Sequence, residues 1–138
     1  MAKRTAPSAR RTPSQVTADP DVILDVLFED GLLFLSVRNI GSRPVHHVSV
    51  TFDQPITGLG GDREISALPL FKNIEFLAPG REIRTVLDTS ASYFSRRQPD
   101  RIKVVISYQE ARGRRRRAVI QHDLGIYRDI GYARRTGQ

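Results

Sequence analysis

The sequence predicts an all-β fold: an antiparallel β-sandwich of seven to eight short strands with one short helical segment near 89–95. Three observations predict it. Apolar and polar residues alternate with a period of two, most cleanly where Val48, Val50 and Phe52 oppose His47, Ser49 and Thr51. Turns built from Gly, Pro, Asp and Asn interrupt the chain at short intervals. Only one stretch carries a helix-start signal, at Asp88 and Thr89.

Each element follows from its residues. Val22 to Phe28 is apolar and β-branched, with Asp25 as its single charge. Glu29-Asp30-Gly31 is a turn, because Asp-Gly supplies the positive φ of a tight hairpin. Gly31 to Asn39 alternates, with Leu33, Leu35 and Val37 on one face. Leu32 and Phe34 make its other face apolar as well, so this hairpin is either covered on both sides or bears an exposed sticky face. Asn39 to Pro44 is the next turn, and Pro44 delays the following strand because it cannot donate to a ladder. Val45 to Asp53 is the alternating strand. His46 and His47, adjacent on it, are expected on opposite faces.

The second half is more broken. Pro55 to Asp62, with Gly58, Gly60 and Gly61, reads as a mobile loop. Glu64 to Leu68 and Leu70 to Leu77 read as short strands divided at Pro69. Ala78-Pro79-Gly80 places Pro and Gly at the centre of a type II turn. Glu82 to Leu87 is a strand with Ile83 and Leu87 on one face. Asp88 to Phe94 is capped and helical, and Pro99-Asp100 ends it. Arg101 to Gln109 places Ile102, Val104, Ile106 and Tyr108 on one face. After a turn at Ala111 to Arg114, Arg115 to Leu124 returns with Ala118, Ile120 and Leu124 toward the core.

Domain organisation follows. Met1 to Pro20 is rich in Ala, Ser, Thr, Pro and Arg without periodicity and is expected to be a disordered basic tail, 1–20. Residues 21–125 form the sandwich and 126–138 a C-terminal extension. The chain has 138 residues and no cysteine, which excludes a disulfide framework, thiolate zinc sites and cysteine nucleophiles. No apolar run in the first twenty residues suits an export signal, so the expected location is cytoplasmic. The net charge is +7, from 22 Lys plus Arg against 15 Asp plus Glu, and most of the excess lies on the two tails. That balance permits nucleic acid or an anionic membrane surface as partner without demanding either.

The residues Val37-Arg38-Asn39-Ile40-Gly41, then Val48, Val50 and Phe52, then Leu77-Ala78-Pro79-Gly80 and a return strand carry a resemblance. Together they look like the immunoglobulin-like sandwiches of the CARDB type, over about residues 21–125. In that group a V-x-N-x-G hairpin joins two core strands and an L-x-P-G turn precedes a later one. The resemblance implies a binding or spacing module without catalysis.

Candidate chemistry is sparse. His46, His47 and His122 would form a metal site only by meeting a carboxylate across the sheet, and the expectation is no metal and no cofactor. Thr89, Ser90 and Ser92 read as helix-cap residues, because no Gly-x-Ser-x-Gly is present. Gly58-Leu59-Gly60-Gly61-Asp62-Arg63 lacks the helix that a phosphate loop opens. No catalytic residue is expected. Arg112, Arg114, Arg115, Arg116 and Arg117 form the densest charge cluster, a candidate contact for an anion or a partner. Arg115 and Arg117 should face away from Ile120, with Arg114 and Arg116 over the end of the sandwich. No aromatic residue lies inside the cluster. Ile126, Tyr127, Ile130 and Tyr132 form a candidate docking tail, and Val105 with Val119 a candidate outer-face pair. The leading reading is a non-enzymatic protein-interaction or scaffolding module. The alternative is a nucleic-acid-binding accessory protein that uses the arginine hairpin and basic tails.

Overall fold

The computed structural model describes residues 19–130. Three strands form one antiparallel sheet in the order β1-β2-β7: β1 (Val22–Glu29), β2 (Leu32–Asn39) and β7 (Glu82–Thr89). Four form the other in the order β6-β3-β8-β9: β6 (Ile74–Leu77), β3 (Val45–Phe52), β8 (Arg101–Glu110) and β9 (Arg115–Asp123). A third ladder joins the two-residue strands β4 (Thr57–Gly58) and β5 (Arg63–Glu64). The fold is therefore an all-β antiparallel sandwich. The main sheets hold the expected number of strands, and the β4–β5 hairpin is additional.

The core lies between the two main sheets. Leu24 and Val26 from β1, Leu33, Leu35 and Val37 from β2, and Leu87 from β7 meet Val48, Ile106 and Tyr108 from the facing sheet. At roughly 25 cal/mol per Å2 of apolar surface removed from water, each such Leu or Ile contributes about 1.5–3 kcal/mol. Polar contacts close one side: His122 Nε2 donates to the Leu24 carbonyl at 2.7 Å and Tyr127 Oη donates to the Val26 carbonyl at 3.2 Å. The Asp21 amide donates to Tyr108 Oη at 2.9 Å.

Four expectations need correction. Residues 64–72 are not strands beyond Glu64. Ile65–Ala67 is a 3-10 turn and α1 (Pro69–Lys72) is a single helical turn. Pro69 sits at the start of that turn, where its missing N–H costs nothing, and Phe71 is fully buried beneath it. Among the described residues there are thus two short α-helices, the second being α2 (Ser90–Ser95), capped by Thr89 accepting from the Ser92 amide. The Pro55–Asp62 segment is tied down by β4–β5 rather than a mobile loop. Ile56 is fully buried, and Gly58 packs so tightly that a Cβ there would lie 1.9 Å from the Leu87 carbonyl.

The remaining correction concerns strand faces. The β3–β8 register shifts between His46 and Ser49, and His47 has φ 52°. One extra residue bulges there. Val45 and Val48 are both buried, so His46 and His47 both lie on the solvent side of β3 instead of on opposite faces. A second bulge, in β7, has the same effect inward: Leu87 and Asp88 are both buried.

Candidate interaction surfaces

The outer face of the β1-β2-β7 sheet carries one apolar row. Leu27 pairs with Phe34 and Phe34 with Val86, which places three apolar side chains in one row across three strands. Leu32 adjoins this row on one side, Asp25, Ser36 and Arg84 form the next row on the other, and Ile23 lies beyond them opposite Arg38; the five apolar side chains are all half-buried. None belongs to the core cluster or to the side chains packed on it. Among the described residues the facing sheet covers one side of this hairpin, and the apolar side chains on its other side are half-buried. Charge rims it. Arg84 spans Glu29 and Glu82 at 3.4 and 3.3 Å, and its guanidinium lies 5.3 Å over the Phe34 ring. The Ser36 hydroxyl donates to Glu82 at 2.6 Å, and that bond, with Arg84 beside it, holds the Glu82 carboxyl below its usual range.

The outer face of the β6-β3-β8-β9 sheet has the opposite character. The register aligns Phe76 with His46, His46 with Gln109, and Gln109 with Arg115. One row thus crosses all four strands. Phe76 is 58 % exposed and meets His46 edge-on, with ring centroids 5.4 Å apart. In the next row Ser107 aligns with Arg117, and Arg115 donates to the Ser107 hydroxyl at 2.6 Å. Val105 and Val119 face each other in the row after, as expected. Lys103 and Arg101 on β8 are exposed further along the face, Arg101 beside the Asp123 carboxylate at 3.7 Å.

The arginine cluster divides between three places. Arg112 and Arg114 occupy the exposed β8–β9 turn, and Arg115 and Arg117 the outer face. Arg116 turns to the inner side opposite Tyr108 and pairs with Glu110 at 2.6 Å, so it braces the hairpin rather than overhanging its end. Sequence reasoning found no aromatic within the cluster. Phe76 and His46 are far away in the chain, and only pairing through β3 brings them into line. The signal that could have found them is Phe76 itself, an apolar residue opposite in phase to the buried Leu77.

The remaining candidates have local partners. Tyr127 folds back and stacks on Phe28, 5.5 Å between centroids, while Ile126 and Ile130 are exposed. Tyr132 lies outside the described residues. His122 contacts Leu24 and does not approach His46 or His47. Among the described residues no three His, Asp or Glu side chains converge as metal ligands. The Gly60 amide donates to Asp88, a carboxylate of the chain itself, at 3.3 Å. Ser92 accepts from Arg96, and the Ser90 amide donates to the Gly31 carbonyl. Among the described residues no helix is long and apolar enough to cross a membrane.

Two packed antiparallel sheets, one bearing an apolar outer row and the other a basic one, define a small β-sandwich domain. The chain belongs to the DUF8453 family, described as a domain of unknown function, whose model matches residues 1–128. No curated protein matches the chain.

Proposed function

We propose that this protein is a non-enzymatic protein-interaction module that docks a partner on the outer face of the β1-β2-β7 sheet. The observation that carries this reading is the Leu27–Phe34–Val86 row, apolar and outside the core. An apolar row that is only half-buried and is rimmed by charge has the anatomy of a protein interface. The strand order supports the resemblance to CARDB-type sandwiches, which mostly act as binding or spacing modules. The cysteine-free composition supports a cytoplasmic setting.

The test compares proteins co-purifying with the tagged full chain and with Leu27→Glu and Val86→Lys, each checked for folding by circular dichroism. A partner retained by the wild type and lost from both folded variants is expected. The same proteins recovered with all three, or none with the wild type, overturns the reading.

A further inference from the structure

We infer that the outer face of the β6-β3-β8-β9 sheet is a second binding surface, for single-stranded nucleic acid. It is independent of the protein-docking face, which lies on the opposite side of the sandwich. Such a ligand needs cations for its phosphates, aromatic rings for unstacked bases, and polar groups for base edges. One four-strand row supplies all three in order. Phe76 and His46 offer ring surface, Gln109 an amide whose Nε2 donates to the Gly113 carbonyl at 3.3 Å and whose oxygen can accept from a base, and Arg115 a guanidinium. Neighbouring strands lie about 4.8 Å apart, so the row spans about 14 Å.

Charge extends the row on the β8–β9 side. Arg115 and Arg117 lie on the outer side of β9 and Lys103 on that of β8, with Arg112 and Arg114 at the turn, while Arg101 at the far end pairs with Asp123 at 3.7 Å. The aromatic pair lies at the β6 side. A strand crossing the sheet would therefore set its bases on Phe76 and His46 and its backbone along the hairpin. The Arg115–Ser107 hydrogen bond ties that guanidinium to the face, which lowers the ordering cost of binding. The His47 bulge helps by keeping both histidines on the solvent side. A duplex offers no unstacked base to Phe76, so the surface favours single strands.

Fluorescence anisotropy of the full chain with labelled oligo-dT and oligo-U, titrated with salt, tests the assignment. A duplex of the same length and unlabelled heparin are the controls. Single strands are expected to bind more tightly than the duplex. Phe76→Ala should weaken them roughly 5- to 150-fold, the range spanned by one lost base stack, without changing the salt slope. Arg115→Ala combined with Arg117→Ala should lower that slope by roughly 1.4, about 0.7 for each lost phosphate contact. Leu27→Glu, on the opposite face, should leave affinity unchanged, so either surface can fail alone. No binding at low salt overturns the inference. So does equal affinity for single strand and duplex with no effect of Phe76→Ala, which would mark the face as a general polyanion contact.

Discussion

The Asn39 carbonyl accepts a hydrogen bond from the Gly80 amide at 2.8 Å, and the Asn39 amide donates to the Arg81 carbonyl at 3.0 Å. The V-x-N-x-G hairpin and the L-x-P-G turn are therefore joined through one residue. The Asn39 side chain completes the join. Its Nδ2 donates to the Arg43 and Leu77 carbonyls at 2.8 and 3.0 Å, and its Oδ1 accepts from the Gly41 amide at 2.9 Å. Asn39 is fully buried. Asn39→Ala strands a donor and two acceptors, and a loss of about 2–3 kcal/mol is expected in urea unfolding. Asn39→Asp should do no better, because a carboxylate cannot donate to either carbonyl. A variant as stable as wild type would remove this residue from the framework.

The periodic parts of the fold were legible in the sequence, because a strand of period two with one buried face leaves a local trace. Val48, Val50 and Phe52 show it, as do Ile102 to Tyr108. The bulges at His47 and Leu87 left none, since an extra residue is defined only against its partner strand. The 65–72 segment was misread because Ile65, Leu68, Leu70 and Phe71 are as apolar as a strand, and Pro69 suits a helix start as well as a strand break. The two motifs were each legible as turns, but their meeting at Asn39 is a long-range hydrogen-bonding fact. The candidate surfaces divided in the same way. The apolar second face of the first hairpin could be read locally, whereas the Phe76–Arg115 row exists only through three successive strand pairings.

Arg96 reaches from the end of α2 to the buried Asp88 carboxylate and holds Thr57 as well, donating to its hydroxyl at 2.8 Å. The Asp88 side chain is 4 % exposed. Arg96→Ala leaves that charge without its counter-ion, and removing one partner of a buried pair costs about 3–5 kcal/mol. Removing both should cost less than the sum of the single changes, because the double variant buries no orphan charge. Denaturant unfolding of Arg96→Ala, Asp88→Ala and the double variant measures the coupling. Simple additivity would show that the pair stabilises nothing beyond its separate contacts.

Gly58 is required by space rather than by backbone angle. Its Cβ would meet the Leu87 carbonyl at 1.9 Å and Ile65 Cγ1 at 2.7 Å. Gly58→Ala must push the β4–β5 hairpin off β7 and should cost at least the 1–3 kcal/mol typical of overpacking. Gly60 has φ 73° with open space around it, so Gly60→Ala carries only the smaller penalty of a positive φ, about 1 kcal/mol. Thermal unfolding should rank Gly58→Ala well below Gly60→Ala. The reverse order would mean that the hairpin does not pack against Leu87 in solution.

The tyrosines set the alkaline limit of the fold. Burial raises the Tyr93, Tyr108 and Tyr127 phenols above the ordinary value of 10.0, Tyr93 most of all. Tyr93 donates to the Pro99 carbonyl at 2.7 Å, a bond that its ionised form cannot make. In the unfolded chain the same groups lose their protons near pH 10. Because the folded values are the higher ones, their contribution to stability is fully present below pH 10 and is lost as pH rises through the folded values. Native tyrosinate absorbance should therefore lag that of the chain in denaturant, with the Tyr93 step coinciding with the loss of circular dichroism. Tyr93→Phe should keep its packing, lose the bond to Pro99 and remove that late step. Reversible ionisation of all four tyrosines near pH 10 with the β signal intact would contradict the full burial of Tyr93.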